Sequence, residues 1–404
     1  MTSTIENEVS ILAASRELGA QLGDPEWLGR LRAEAAGLAA ELGWPDSYES
    51  RPWKYYDARS IDFGRYPVAE DEAIGVEASD EVVVTTLGFA EGGTAARLGE
   101  VLGRVVAPGT DRLTALHYAF LREAVVVDVP ANAEPASPVR VRRMSNGQQF
   151  VSPHTVIVTG ANSRVTVVEE YASDDAEMLA VPVVEIVPGP GSEVRYYVVH
   201  RWGPGTRVFG YQRMLGAERD AAFQNLQLVL SGRVVKGQLE SSLVGRGTSS
   251  ELLGLAYGRG DEYVDFYTLQ DHIGPDTRSD LLYKAALRDR SRSVYYGLTR
   301  VGLEARNADA NQENRNLLLS KTARADSDPV LEILTSNVIR ASHGATAGPV
   351  DEEQLFYLQS RGIPRQAAEA MLVWAFLEDV VARVADEGLR EELLGLLEAK
   401  VRAG

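Results

Sequence analysis

At 404 residues, 45% hydrophobic and 25% charged, the chain has the make-up of a soluble globular protein with room for more than one core. Its formal net charge of −17 argues against nucleic acid or an anionic membrane as main partner, because binding phosphate needs a basic surface. It has no cysteine, which removes disulfides, thiolate ligation of zinc or of a cluster, and thiol catalysis together.

The opening residues show no basic-then-apolar leader, and no apolar run approaches a membrane span, so a cytoplasmic protein is expected. From Ile5 to about Gly43 the pattern predicts two amphipathic helices, with Ile11, Leu12, Leu18 and Leu22 on one stripe and Leu28, Leu31, Ala35, Leu38 and Leu42 on the other. Asp24-Pro25 reads as the cap and first turn of the second helix. The aromatic cluster Trp53-Lys54-Tyr55-Tyr56 reads as an anchor onto a core.

Val82–Leu87 reads as a strand, a helix with Ala95-Ala96 and Val101-Leu102 follows it, and the Arg-containing segment 131–149 reads as a surface loop. After Phe150, strand-like segments follow in rapid succession, from Thr155–Val158 to Asn316–Ser320 and Pro329–Ile333. Turn signals separate them, among them Gly160-Ala-Asn162, Pro188-Gly-Pro-Gly191, Gly245-Arg-Gly247, Gly258-Arg-Gly260 and Gly274-Pro275. Hairpin turns of Asn-Gly type are scarce and no long helices intervene, which favours a coiled sheet over a sandwich without deciding between them. Inward candidates are Val264, Phe266 and Thr268; Leu282 or Tyr283 with Ala285; and Val294, Tyr296 and Leu298.

Ser336–Gly348 reads as a small-residue loop carrying one imidazole, His343, between the strands and a helix capped by Asp351. His343 is either a plain turn residue or a functional one. Two more helices follow, one from Pro364 with Ala368, Met371, Leu372, Ala375, Phe376 and Val380 on a stripe, the other over Leu389–Val401.

No P-loop, Rossmann fingerprint, His-Glu-x-x-His or Gly-x-Ser-x-Gly occurs, and the five histidines are scattered. Asp261, Glu262, Asp265, Asp271, Asp276 and Asp280 crowd the strand region. Carboxylates so placed open an alternative reading, a β-helix enzyme acting on polysaccharides, against the plainer reading of Asp as a turn former.

Ser342-His343-Gly344-Ala345-Thr346, Phe356-Tyr357-Leu358, Ser360-Arg361-Gly362-Ile363 and Trp53-Lys54-Tyr55 together resemble signatures of the SufB/SufD family of iron–sulfur cluster assembly proteins. The match is closer to SufD, since SufB-type sequences carry Glu where Gly344 stands. The resemblance implies a mainly β protein, a right-handed parallel β-helix over 67–345 between helical domains at 1–66 and 346–404. It implies a scaffold without enzymatic activity that pairs with a SufB-like subunit, and leaves open a homodimer where SufB is absent. A SufC-like ATPase would dock on the C-terminal helices through Met371, Leu372, Phe376 and Val380. His343 would be the candidate metal ligand facing a transient Fe–S cluster at the SufB interface, with no cluster held by this chain alone. Some SufD sequences have Cys where Ala341 stands, so here every thiolate must come from the partner.

Overall fold

The computed structural model describes residues 8–47 and 50–402. Helices α1 (Glu8–Leu22) and α2 (Glu26–Glu41) come first; the helix start expected from Ile5 lies outside the described residues. Asp24 does not cap α2. Its carboxylate instead pairs with the buried Arg32 at 2.6 Å, and Pro25 takes the cap position with no side-chain bond.

Two short strands, β1 (Ala73–Glu77) and β2 (Val83–Thr86), precede α3 (Gly92–Val101) and α4 (Arg112–Ala119). The solenoid then begins with β3 (Ala124–Val129), β4 (Val139–Ser145), β5 (Phe150–Val151), β6 (His154–Thr159), β7 (Arg164–Ser173), β8 (Met178–Ala180) and β9 (Val183–Val187). Its regular part comprises β10 (Glu193–Arg201), β11 (Thr206–Gly216), β12 (Ala222–Ser231), β13 (Val234–Leu243), β14 (Ser249–Gly258) and β15 (Tyr263–His272). It ends with β16 (Arg278–Leu287), β17 (Arg292–Val301), β18 (Ala308–Leu318), β19 (Arg324–Ile333) and β20 (Val338–Pro349). Helices α5 (Glu352–Ser360), α6 (Arg365–Val381) and α7 (Glu387–Arg402) complete the chain.

From β10 onward the strands alternate between a nine-stranded sheet, β1-β4-β7-β10-β12-β14-β16-β18-β20, and an eleven-stranded one, β19-β17-β15-β13-β11-β9-β6-β3-β2 with β5 and β8 at its side. Pairing is parallel throughout the stack, and only β1 on β4 and β2 on β3 run antiparallel. The chain is a parallel β-solenoid, as the resemblance implies. One corner repeats a left-handed backbone at Asn132, Asn162, Gly191, Asp220, Gly247, Asp276 and Asn307, residue types that tolerate positive φ. Each of these donates its N–H to a carbonyl of the next turn, as Asn162 does to Pro190 and Asp276 to Arg306.

Phe266, Tyr283 and Tyr295 stack through the lumen with centroids 5.2 and 5.5 Å apart, alongside Leu239, Leu281 and Ala285. Gly254 lies in register with Tyr283, and a Cβ there would sit 2.2 Å from the ring. The expected inward set of β15 is correct. For β17 it is one residue out of phase: Val264 pairs with Ser293 and Phe266 with Tyr295, so Tyr296 and Leu298 lie on the outer face with Tyr267. Its lumen face carries Ser293, Tyr295, Gly297 and Thr299 and its outer face the more apolar Val294, Tyr296 and Leu298, so alternation pointed to the wrong face. In β16 Tyr283 and Ala285 face in, while Leu282 faces the C-terminal helices.

The loop expected at 131–149 contains strand β4, whose arginines disguised it. Arg143 turns into the lumen, pairing with Glu169 at 2.6 Å and Glu72 at 3.0 Å, while Arg140 and Arg142 point outward. Strands β18 and β19 also start earlier than expected, at Ala308 and Arg324.

Each sheet is covered by one helical layer. α1–α4 pack with Trp53 on the outer face of the eleven-stranded sheet, against Val156, Val183, Phe209 and Tyr211. The Asp111 carboxylate fastens this layer: it caps α4 and accepts from Trp53 Nε1 at 3.2 Å and Tyr211 Oη at 2.6 Å. α6 and α7 cover the nine-stranded sheet, setting Val373, Leu377, Leu393 and Leu397 on Leu226, Leu228, Leu253 and Leu255. No helix among the described residues is long and apolar enough to cross a membrane.

Two lumen histidines carry a pH signature. His200 accepts from Trp202 Nε1 at 3.1 Å and faces Gln227 Oε1 at 2.9 Å, the pattern of a neutral ring. Burial pushes both His200 and His272 down to about 4 from 6.5. Between those values the unfolded chain takes up protons that the folded chain refuses, so stability should fall as pH drops through this window. His200→Gln should recover about 3 kcal/mol of that loss in urea titrations compared at neutral pH and about pH 4. An equal loss in variant and wild type would contradict it.

Candidate partner interface

The N-terminal end of the stack is closed by antiparallel strands, but among the described residues no strand stacks beyond β19 and β20. β19 pairs only with β17, and β20 only with β18. No residue of either strand is fully buried.

His343 lies within β20, not in a loop. The small residues around it suggested a turn, yet their backbone continues the β18 ladder in register, Gln312 opposite His343 and Asn314 opposite Ala345. Gln312 faces the lumen, where it donates to Tyr295 Oη at 2.7 Å. Parallel partners share a face, so Ala341, His343, Ala345 and Ala347 form the inward row of the last turn; with no further turn over them, Ala341 is half-buried and the other three are exposed. Neither ring nitrogen of His343 has a partner among the described residues, so both are available to an incoming group.

The backbone of this end follows from alternation. Arg324 and Leu334 donate N–H to Ser291 O and Val301 O, so even-numbered residues of β19 face β17 and odd-numbered ones face the open edge. Pro329 is odd-numbered; its missing N–H interrupts the open row of donors, a position where a strand tolerates proline. In β18 the odd-numbered Asp309 and Leu319 donate to the β16 side, which leaves the backbone groups of Ala341, His343, Ala345 and Ala347 on the open edge of β20. That row is unbroken. Exposed apolar side chains gather in the adjoining turns and strands: Leu303, Ile333, Leu334 and Ile339, a feature sequence reading missed.

Beneath the last turn lies a polar ladder. Asn314 Oδ1 accepts from Asn316 Nδ2 at 2.7 Å and Ser327 Oγ at 2.6 Å, and Asn311 joins Ser342 to Asp280 at 2.7 and 2.8 Å. Asn311, Asn314 and Asn316 thus form a side-chain ladder within strand β18.

The C-terminal helices divide the predicted docking residues. Met371 is 49% exposed, and Leu372 and Phe376 are half-buried. Lys284 donates to Phe376 O at 3.0 Å and lies 4.9 Å from the ring centroid, holding Phe376 against the sheet. Val380 is fully buried in the core with the solenoid, so it supports this surface from below and does not line it. Phe356 and Tyr357 on α5, quoted above only as part of a signature, are 72% and 56% exposed. Asp351 caps α5 as expected, accepting from Glu353 N at 2.8 Å.

The six carboxylates of the enzyme alternative are all engaged. Asp261 pairs with Arg290, Glu262 with Lys400, Asp265 with Lys236, Asp271 with Arg300, Asp276 with Arg246 and Asp280 with Arg383. Asp265 is buried, paired with a Lys236 whose Nζ lies 5.2 Å from the Trp53 ring centroid. None of them forms the open facing pair that glycoside hydrolysis requires.

A family model described as SUF system FeS cluster assembly, SufBD core domain, matches residues 142–376. The iron–sulfur cluster assembly protein SufD of Bacillus subtilis is 31% identical over 295 residues, covering 72% of this chain and 67% of that protein. An iron–sulfur cluster assembly SufBD family protein of Mycobacterium tuberculosis is 30% identical over 298 residues, 72% and 74% of the two chains. SufD of Escherichia coli is 29% identical over 286 residues, 69% and 67%.

Neighbouring residues at this end should differ sharply in their contribution to stability. Asn314→Ala leaves Ser327 and Asn316 without their shared acceptor and should cost about 1–3 kcal/mol in urea unfolding. His343→Ala removes an exposed, unpartnered ring and should cost under about 1 kcal/mol. Comparable losses would mean that His343 has a structural role.

Proposed function

The chain belongs to the SufBD family of the SUF iron–sulfur cluster assembly system, and we propose that it acts there as a SufD-like scaffold subunit without enzymatic activity of its own. The observation that carries this reading is the uncovered end of the solenoid, with the unpartnered His343 on its inward row and a continuous backbone edge beside it.

A SufB-like subunit is the partner this end would take. Strand addition satisfies the open N–H and C=O groups of β20, and apolar contact covers Leu334 and Ile339. The nascent cluster is then the substrate, formed between the two chains. A neutral imidazole nitrogen is a competent iron ligand, as histidine ligation in Rieske centres illustrates. With no cysteine in this chain and Ala341 two positions along the same face, thiolate ligation and sulfur transfer fall to the partner. A second copy of this chain could occupy the end when the SufB-like subunit is absent.

Docking of a SufC-like ATPase falls to Met371, Leu372 and the exposed edge of Phe376, with Val380 behind them. Because α6 and α7 share a core with the nine-stranded sheet, a point substitution tests this better than truncation. Met371→Asp should lower co-purification of the ATPase at least tenfold and leave the melting temperature unchanged. Undiminished co-purification places docking elsewhere.

His343→Ala tests the central claim. Expressed in place of the wild-type chain, it should assemble the complex in normal yield yet reduce maturation of a reporter iron–sulfur enzyme at least tenfold. Maturation at the wild-type rate would overturn the role given to this histidine.

A further inference from the structure

The aromatic segment Trp53–Tyr56 does more than anchor the helical layer. From Trp53, tied to Asp111 and packed on Phe209 of β11 at 5.7 Å, it runs over the outer face of the eleven-stranded sheet to the last strand. Trp53 lies 5.2 Å from Lys236 Nζ of β13, and Tyr56 lies 5.7 Å from the Tyr263 ring of β15. Tyr263 Oη donates to Tyr55 O at 3.1 Å, and Arg292 of β17 sits 5.6 Å from the Tyr55 ring. At the end, Lys54 Nζ and Tyr55 Oη (2.8 Å) both donate to the same carboxylate oxygen of Asp328 on β19. That bond is the largest of the influences that raise the Lys54 ammonium above its ordinary value.

β19 needs such support. Its far edge is open, and its only sheet partner is β17. A second outward carboxylate, Asp326, is held by Arg292 at 2.7 Å and by Arg324. Of these contacts, only those at Asp328 tie the strand to the N-terminal helical layer rather than to its own sheet.

We propose that Trp53–Tyr56 is a latch that clamps the terminal edge strand β19 to the N-terminal helical layer through Lys54, Tyr55 and Asp328. The clamp keeps β19 from fraying and makes it the fixed side of the open end, while β20 remains free to accept a strand. This inference does not rest on the cluster-assembly reading, because it concerns the chain by itself.

Hydrogen exchange read by mass spectrometry on the full chain tests it. The informative amides are those of Arg324, Asp326, Asp328, Val330 and Glu332, which face β17; Pro329 has none. In Lys54→Met/Tyr55→Phe, and separately in Asp328→Asn, exchange over 324–333 should accelerate about tenfold. Protection over 263–272 should be unchanged, and the melting temperature should move little, since a half-exposed ion pair adds little to global stability. Lys54→Arg should retain slow exchange. Unchanged exchange over 324–333 in both variants would overturn the latch, and so would a uniform rise across the solenoid, which would signify general destabilisation.

Discussion

A turn of a parallel solenoid buries its inward residues only against the turns above and below. Most of this molecule follows from that dependence. The lumen can hold Tyr196, Glu169, Arg143 and His200 because adjoining turns supply their partners, as when Tyr196 donates to Glu169 at 2.6 Å. A last turn has only one neighbour, so its inward row is exposed however its side chains are chosen. In β20 that row is nearly all small, Ala341, Ala345 and Ala347, with one imidazole among them. An apolar row there would be an aggregation hazard, whereas this one leaves space for an incoming group beside a nitrogen able to receive it.

The two helical layers share the remaining surface without reaching that end. α1–α4 occupy the outer face of one sheet and α6–α7 that of the other, and each layer makes its own core with the strands beneath it. Trp53–Tyr56 and the Arg383–Asp280–Asn311–Ser342 hydrogen bonds reach from these layers to the final strands. The open end is therefore held by both layers and covered by neither.

Much of this was legible in the sequence. The run of strands through the solenoid was legible because Gly, Asn and Asp mark its corners. Trp53 read as an anchor because its neighbours are aromatic. Failures arose where the usual signals were inverted. Arg143 made β4 look like a loop, since a buried arginine is recognised only once Glu72 and Glu169 are brought to it from distant sequence. Ala341–Gly348 read as a loop because small residues have weak strand propensity; in β20 the ladder with β18 overrides it. The phase of β17 was lost because the outer face of that strand, Val294, Tyr296 and Leu298, is more apolar than its lumen face. The signature singled out His343, but its placement on an open inward row could be seen only with the β18 register in hand.

The column of left-handed corners bears on how such a chain can change over time. Its members are unevenly spaced: Asp220 to Gly247 is a shorter step than Asp276 to Asn307, yet the strands on either side remain in step. Each corner sets the phase afresh, with one Asn, Asp or Gly fixing the bend and one N–H joining it to the next turn. A residue gained or lost elsewhere in a turn is absorbed before the following corner. The stack can thus vary in length from turn to turn without carrying the error forward, and the imidazole at its end stays on the inward side.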